Sequence, residues 1–241
     1  MARALHLIDL VGGGPPEGLS LGDIARALGV SKSTAFSLAR TLTSFGYLRH
    51  TTPGPRYKLG MALVRLGDIV GRQLPLGDIC RPVLRELTDV TGMTSRVALS
   101  DGGYPIFIER VDGPGTVRFY TPLGQRELPH ATAAGKSILA ALAEAQVRGI
   151  CAEIGLPRRT THTITDVDTL LDHLALVRRR GFAVDDEEDA DGVFCVGAAF
   201  FDHNDTCVGA VSVTGIKLEL PDWKIDELGN KIGRASCRER V

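Results

Sequence analysis

The chain has 241 residues, of which 44% are hydrophobic, so it can bury the core of one or two domains. It contains no run of 18 apolar residues and begins with no signal-peptide pattern, so we expect a cytoplasmic protein with no membrane partner. No Cys-x-x-Cys spacing occurs, and we expect the cysteines to stay reduced: Cys80, Cys151, Cys195, Cys207 and Cys237.

The formal net charge of −1 is unevenly distributed along the chain. Residues 1–60 hold seven Lys or Arg against three Asp or Glu, a balance of +4, which leaves −5 for the rest. A basic end on an acidic body is typical of proteins that bind nucleic acid. Chance is the alternative, since an imbalance of this size in sixty residues is not rare.

Two helices are predicted before residue 30. The first covers "RALHLIDLV" at 3–11, with Leu5, Ile8, Leu7 and Val11 on its apolar face, and ends at "GGGPPEG". Ser20 is the predicted N-cap of the second helix, and Gly29 stands at its C-terminus. The second helix has apolar residues at helical spacing: Leu21, Ile24, Ala25 and Leu28.

A third helix is predicted to start at Ser31 and to turn Ala35, Leu38, Leu42 and Phe45 inward. Helix, tight glycine turn and helix form a helix-turn-helix, whose second helix enters the DNA major groove. No acidic residue occurs from Lys32 to Arg49. We predict that the outward residues bind DNA: Ser31, Lys32, Ser33, Thr34, Phe36, Ser37 and Arg40.

The stretch "GYLRHTTPGPRYKLG" at 46–60 contains two β-prone segments around a Pro-Gly turn. This pattern predicts a hairpin, or wing, whose Arg56 and Lys58 touch phosphates or the minor groove. An ordinary surface hairpin is the alternative.

The remaining chain begins with two predicted helices. A linker helix over 60–73 has Leu63, Leu66 and Val70 at helical spacing, and a helix over 76–90 follows it. The second helix presents Ile79, Val83, Leu87 and Val90. Further helices are predicted at 132–144 and 166–180, and strands at 95–100, 104–111, 116–122, 182–185, 193–201 and 207–214. Short strands in clusters, with helices between the clusters, predict an α+β domain with a mostly antiparallel sheet.

The Gly-Lys-Ser in "HATAAGKSIL" at 130–139 resembles the end of a phosphate-binding P-loop. A P-loop needs a glycine five positions before Gly135, where this chain has His130. The alternative that we favour is a helix with Thr132 as its N-cap. Lys136 and Ser137 are then helix residues with no phosphate contact, and Lys136→Ala is expected to leave function intact.

Several separated blocks together resemble one family. "LSLGDIARALGVSKSTAFSLARTLTSFGYL", "RYKLG", "LPHATAAGKSILA", "RRRGFAVDDEEDADGVFC" and "VGAVSVTG" follow in the order found in the IclR family of bacterial transcription regulators, and the resemblance covers residues 3 to about 225. Two departures stand out. Ser37 replaces an arginine usual in the recognition helix, and "GRASCRERV" replaces an amphipathic last helix after Ile232.

The resemblance implies a winged helix-turn-helix over 1–60, a linker helix over 61–75 and a GAF-like effector-binding domain over 76–232. Residues 233–241 are treated as a candidate non-native tail without function. The implied protein is a homodimer or homotetramer that binds operator DNA and responds to a metabolite. It is not an enzyme, and no cofactor or metal is expected.

The resemblance also places an effector pocket. Asp185 and Cys195 fall on its polar wall, Ser212 and Thr214 supply hydroxyls, and Ala133 with Ala134 supply backbone at a helix start. Apolar lining is expected from Phe119, Leu123 and Val193, although a core role for each stays open. Because a helix N-terminus favours an anion, we expect a small organic acid, with a hydroxyl for Asp185.

Two other functions are alternatives to this interpretation. Cys195 is the candidate nucleophile or redox centre of a thiol enzyme or redox sensor, with Asp185 nearby and His203 as a partner only if the fold brings it back. A metal-dependent switch using His162, His173 or His203 lacks ligand spacing.

Overall fold

The computed structural model describes residues 1–51, 54–73, 76–117, 119, 122–217 and 223–238. The chain divides into two compact units, Met1–Pro75 and Leu76–Val241. Among the described helices, none combines the length and the apolar character needed to cross a bilayer.

The described residues of the N-terminal unit form four helices and a small sheet. Its elements are α1 (Ala2–Gly12), β1 (Leu19–Ser20), α2 (Leu21–Ala27), α3 (Lys32–Ser44), β2 (Leu48–Thr51), β3 (Arg56–Leu59) and α4 (Ala62–Gln73). The strands form an antiparallel sheet in the order β1-β3-β2. The predicted helix-turn-helix and its hairpin are therefore confirmed.

Side-chain caps explain where α2 and α3 begin. The Ser20 hydroxyl accepts the Asp23 N–H at 3.2 Å while the Asp23 carboxylate accepts the Ser20 N–H at 3.2 Å, which completes a capping box. Ser31 accepts the Thr34 N–H at 3.2 Å. Gly29, with φ +62°, makes the left-handed turn between the two helices.

Two predicted inward residues of this unit are exposed instead. Phe45 is 70% exposed because α3 ends at Ser44 and its buried face runs through Ala35, Ala39 and Leu42. Leu5 is 58% exposed because α1 buries Leu7 and Val11, one turn apart on the other side of the helix. Both predictions were wrong.

The C-terminal unit places helices on both faces of one sheet. Its elements are α5 (Leu76–Thr91), β4 (Thr94–Asp101), β5 (Tyr104–Val111), α6 (Ala133–Ala140), α7 (Glu144–Ile154), α8 (Val167–Arg180), β6 (Ala183–Asp186), β7 (Val193–Phe201), β8 (Cys207–Ile216) and α9 (Trp223–Arg238). The strand order is β5-β4-β8-β7-β6, with every neighbouring pair antiparallel. The α+β class with an antiparallel sheet is confirmed.

Successive side chains along each strand point to opposite faces of this sheet. On one side α5 and α9 pack against Val97, Phe194 and Val213 in the largest core cluster. On the other side α6 packs against Ala98, Phe107 and Ala210, and α7 and α8 pack outside α6. Strand residues that directly precede or follow a member of the largest core cluster in sequence therefore face α6.

Four details of the sequence-based elements were wrong. The helix predicted over 132–144 ends at Ala140, and the separate α7 was missed. The helix α5 buries Cys80, Leu84 and Leu87, whereas Ile79 and Val90 are exposed. The described residues 116, 117, 119 and 122 form no strand, while 118, 120 and 121 lie outside the described residues. The helix α9 continues through residues 233–238, where the tail "GRASCRERV" was expected in place of a helix.

A substitution at Gly135 tests whether the Gly-Lys-Ser segment has a glycine because of close packing. A Cβ there would lie 2.5 Å from the Pro129 carbonyl oxygen, whereas a Cβ at Gly149, inside α7, meets no described atom within 4 Å. Gly135→Ala should lower the free energy of unfolding by about 1–3 kcal/mol through overpacking. Gly149→Ala should raise it by about 0.5–1 kcal/mol because alanine is the better helix former. Urea denaturation measures both, and equal effects would contradict this packing role.

Candidate functional site

The outward face of α3 is polar and solvent-accessible. All seven predicted DNA-binding residues of this helix region are exposed: Ser31, Lys32, Ser33, Thr34, Phe36, Ser37 and Arg40. The Arg40 guanidinium carbon lies 5.9 Å from the centroid of the Phe36 ring, which makes a cation–π pair on that face. A helix with this face free and the opposite face in the core can enter a DNA groove.

The hairpin presents its basic residues differently from the sequence-based expectation. Arg56 is half-buried and donates to the Gly18 carbonyl at 2.8 Å, so it fastens the hairpin to the chain before β1. Lys58 is half-buried and pairs across the strands with Arg49, which is exposed. The assignment of Arg56 and Lys58 to DNA stays a prediction, and Arg49 joins them as a basic residue that sequence reasoning missed.

The C-terminal unit contains a cavity of about 740 Å³ beside the start of α6. This volume lies within the usual range for small-molecule pockets, about 300–1,000 Å³. Its polar side chains are Arg96, Gln125, Arg126, Glu127, Thr132, Arg159, Asp185, Asp189, Cys195, Ser212 and Thr214. Apolar side chains of the wall include Phe107, Phe119, Leu128 and Val193.

Strand register explains how the polar side chains come together. Asp185 on β6 pairs with Cys195 on β7, and Cys195 pairs with Thr214 on β8. In the next row, Ser212 on β8 pairs with Arg96 on β4. All five side chains point to the α6 side of the sheet, because they alternate with the large-core residues.

The start of α6 closes the cavity from the other side. Thr132 caps the helix by accepting the Gly135 N–H at 3.1 Å, and Ala133 and Ala134 are buried in the cavity wall. The amides of a first helical turn have no intrahelical acceptor and carry the positive end of the helix dipole. This wall therefore favours a negatively charged ligand.

Arg96 contributes a buried cation that sequence reasoning missed. Its side chain is 8% exposed, its guanidinium carbon lies 4.6 Å from the Phe107 ring centroid, and Nη2 donates to the Thr214 hydroxyl. A buried charge is costly unless an anion or several acceptors face it. The available signal was an arginine directly before the apolar run Val-Ala-Leu of the strand "SRVALS".

Ser212 offers a buried hydroxyl to this cavity. It is 1% exposed, and its Oγ has no hydrogen-bond partner within the described residues. Buried polar atoms are normally hydrogen-bonded, so an unpartnered one in a cavity wall marks a place for a ligand atom.

Asp185 is buried in the same wall. Its Oδ1 accepts the N–H groups of Glu188 at 2.9 Å and Asp189 at 3.3 Å. Burial raises the pKa of Asp185 to about 7 although Lys136 opposes this, so near neutral pH the carboxyl can donate or accept a proton.

Cys195 is a poor candidate for thiol chemistry. Burial, together with the neighbouring Asp185, raises the pKa of its thiol to about 12. The thiol is therefore protonated near neutral pH, whereas nucleophilic or redox chemistry needs a thiolate. His203 is exposed in the β7–β8 turn, where Nε2 lies 3.1 Å from Asn204 Nδ2. Across the described residues, no three His, Cys, Asp or Glu side chains cluster to hold a metal ion.

Eight of the nine predicted pocket residues line this cavity: Ala133, Ala134, Phe119, Asp185, Val193, Cys195, Ser212 and Thr214. Leu123 does not, because it is 54% exposed in the turn before Gly124. The assignment of Leu123 to effector binding stays a prediction. Besides Arg96, the polar lining residues that sequence reasoning missed are Gln125, Arg126, Glu127, Thr132, Arg159 and Asp189.

A helix-turn-helix unit followed by an α+β unit with a polar cavity defines a DNA-binding protein that responds to a small molecule. Residues 1–52 match the model of the IclR helix-turn-helix domain, and residues 70–238 match that of the bacterial transcriptional regulator IclR C-terminal domain. The chain belongs to the IclR family of transcriptional regulators. Its homologues are regulators and not enzymes.

Relatives cover nearly the whole chain. The HTH-type transcriptional regulator XynR of Escherichia coli K12 is 31% identical over 97% of this chain and 92% of its own length. BhcR of Paracoccus denitrificans is 30% identical over 97% and 83%, and the repressor AllR of Escherichia coli K12 is 30% identical over 88% and 79%.

Solved structures agree with this fold. The Thermotoga maritima IclR crystal structure matches with a TM-score of 0.78 and 30% identity over 98% of this chain and 94% of its own. An IclR homolog from Microbacterium hydrocarbonoxydans, complexed with 4-hydroxybenzoate, has a TM-score of 0.78 at 19% identity over 99% of each chain, a likeness of fold alone.

Arg40→Ala should weaken operator binding without unfolding the protein, because Arg40 is exposed on the outward face of α3. We expect a loss of about 1–3 kcal/mol, which is about 5- to 150-fold in Kd. An electrophoretic shift assay at fixed salt, with an operator fragment recovered by genomic pull-down, measures this. Arg148→Ala, on α7 of the other unit, is the control. If Arg40→Ala, Arg56→Ala and Lys58→Ala all bind normally, the DNA-reading surface lies elsewhere.

Asp185→Asn should stabilise the protein in a pH-dependent way. The variant keeps an oxygen acceptor for the two N–H groups but cannot ionise. Because the folded-state pKa of Asp185 is raised from 3.8 to about 7, its favourable contribution is present below pH 3.8 and is lost as pH rises through 7. The stability gained by Asp185→Asn should therefore grow between pH 4 and 7 and level off by pH 8.

The midpoint of thermal unfolding at several pH values measures this gain. Asp166→Asn is a matched control, because N–H groups of Thr169 and Asp168 lower the pKa of the exposed Asp166. Its effect should not grow above pH 5. A constant gain for Asp185→Asn across this range would show that Asp185 is ionised throughout.

Proposed function

We propose that this regulator binds operator DNA through α3 and the hairpin, and that a small organic acid in the 740 Å³ cavity changes its affinity for the operator. The observation that carries this proposal is the convergence of three features in one cavity: the Arg96 guanidinium, the first turn of α6 and the unpartnered Ser212 hydroxyl.

The hydrogen-bond donors of the cavity wall support the proposal that the ligand has a carboxylate. Arg96 has a planar fork of N–H groups that suits a carboxylate, and its Nη2 donates to Thr214 within the chain. Ala133 and Ala134 place backbone amides at the positive end of α6. A bound carboxylate would accept hydrogen bonds from both groups.

The acids in the wall favour a second polar group on the ligand. Asp185 lies in the wall, and Glu127 is half-buried there with a pKa raised by burial and by Asp189. Neither can bind a second carboxylate well unless it is protonated. A hydroxyl donated to Asp185 avoids the repulsion, so a hydroxy acid or the hydrate of a keto acid fits this wall.

The apolar lining indicates a ligand with a carbon body. Phe107, Phe119 and Val193 line the wall, and the volume exceeds what a two-carbon acid needs. Aromatic hydroxy acids such as mandelate are therefore suitable test compounds. We also include 4-hydroxybenzoate, the ligand of the homolog from Microbacterium hydrocarbonoxydans.

We infer that the protein acts as a homodimer or homotetramer in the cytoplasm, where the chromosome is. Two recognition helices read a near-palindrome, and symmetric oligomers supply them. All residues of α4 are described and none is buried, and its exposed Val64 and Val70 are suited to contact a second copy. We expect the effector to bind two quaternary arrangements of the oligomer with different affinities. The linker helix α4 is where we expect this difference to be passed to the DNA-binding unit.

Ser212→Ala combined with Thr214→Val should cost about 1–3 kcal/mol of effector affinity, because the acid loses buried hydroxyl partners. Arg96→Met should weaken binding of acids at least as much. A thermal-shift panel of lactate, mandelate and 4-hydroxybenzoate, each beside its neutral amide, detects binding, and titration calorimetry gives Kd. Arg148→Met is the matched control, since Arg148 pairs with Glu144 and Asp168 on the surface.

The acid that binds is then added to the operator assay, where it should change the Kd for DNA. Stabilisation by the amides alone, or equal shifts in the wild type and the pocket variants, would refute the organic-acid assignment.

A further inference from the structure

The lysine of the Gly-Lys-Ser segment forms a buried ion pair. Lys136 is 0% exposed and its Nζ bonds to Oε1 of Glu188, which is itself buried. Burial lowers the pKa of Lys136 and raises that of Glu188, and the mutual attraction opposes both shifts. The ion pair argues against the expectation that Lys136→Ala leaves function intact, because that change leaves a buried carboxylate without its cation.

The two partners lie directly behind the effector cavity. Lys136 is one turn along α6 from Ala133, whose backbone lines the cavity. Glu188 is between Asp185 and Asp189, which both line it. The ion pair thus joins the two walls of the cavity while neither partner is itself a lining residue.

The segment that carries Glu188 has a strained backbone. Glu187 has φ +61°, a left-handed conformation that is unfavourable for a residue with a side chain. Its carbonyl accepts the Thr160 hydroxyl at 2.7 Å, and the Glu188 carbonyl accepts the Thr163 hydroxyl at 2.6 Å. A strained turn persists only when its surroundings hold it, and the bond from Lys136 is the one that comes from α6.

The position of Glu188 also sets the orientation of Asp185. The N–H groups of Glu188 and Asp189 both donate to Asp185 Oδ1, so the carboxyl group follows the turn. If the turn moved away from α6, the Asp185 carboxyl would lose these donors and with them its fixed orientation beside Cys195.

We propose that the Lys136–Glu188 ion pair is a positioning pair: it holds residues 185–189 against α6 and so fixes the Asp185 carboxyl in the effector cavity without touching the effector. The consequence for effector affinity rests on the proposed function, whereas the consequence for the turn does not. A role in stability alone does not need charges, because apolar residues of similar volume often replace a buried ion pair without loss.

The test replaces both partners in the full-length protein, as Lys136→Met with Glu188→Met. This double variant removes the ion pair while keeping comparable side-chain length. Hydrogen–deuterium exchange, read by NMR, reports on the Glu188 and Asp189 amides, which are the donors to Asp185. We expect their exchange to quicken at least tenfold, with β4 and α8 unchanged. Arg148→Ala, which breaks a surface ion pair, should change neither amide.

Unchanged protection of these two amides in the folded double variant would overturn the positioning role. If the double variant does not fold, Glu188→Gln is measured instead. It keeps the size of the side chain and an oxygen for Lys136 but removes the charge, and we expect at least threefold faster exchange. Wild-type protection in Glu188→Gln would overturn the proposal equally.

Calorimetric titration with sodium mandelate then measures the effector cavity. We expect the double variant to bind mandelate at least tenfold more weakly than the wild type and Arg148→Ala to bind it equally. Equal binding by the double variant would refute the link from the turn to the effector. If neither the wild type nor any variant binds an organic acid, the effector class is wrong, and amide exchange still decides the role of the pair.

Discussion

The site depends on the close approach of the first turn of α6 to the backbone of β7. A Cβ at Gly197 would lie 3.0 Å from the carbonyl carbon of Ala133, so any larger residue there would require the start of α6 to shift by a few tenths of an ångström. Ser137 secures the contact because its Oγ lies 2.9 Å from the carbonyl oxygens of both Ala133 and Gly197, so that its single O–H is shared between them. The free amides of a helix start are thereby held against the polar rows of the sheet, where a ligand can meet both.

Charge placement follows from this contact. The α6 face of the sheet carries one buried arginine, Arg96, and one buried carboxyl, Asp185, on strands separated by β7 and β8. The helix start adds positive potential, and burial keeps Asp185 close to neutrality at physiological pH. The cavity is therefore more favourable to an anion than a simple count of its acids and bases suggests.

Much of the fold could be predicted because local signals agreed with the tertiary structure. Ser20, Ser31 and Thr132 each cap the helix that the sequence indicates, and strands such as 193–201 keep their predicted bounds. The predictions that failed concern which face of a helix is buried, because several faces have similar apolar residues and tertiary packing decides between them. The helix α5 buries Cys80 and Leu84 rather than Ile79, and periodicity does not distinguish these stripes.

The residues of the candidate site could be predicted only where the family resemblance assigned them to the effector pocket. Asp185, Cys195, Ser212 and Thr214 come from three strands, and their convergence requires the register of the sheet. Arg96 was missed because an arginine on a strand usually faces solvent, and its burial depends on Phe107 of a neighbouring strand. The partner of Lys136 lies 52 residues away, a separation that no local pattern signals.

The most direct test of the account is a crystal structure of the full-length protein with 4-bromomandelate, whose bromine locates the ligand by anomalous scattering. We expect one ligand inside the cavity, with its carboxylate about 3 Å from the Arg96 guanidinium and the Ala133 or Ala134 amide, and its hydroxyl toward Asp185. A carboxylate bound at the exposed Arg159 or Arg126 instead, with the inner wall unchanged, would contradict it.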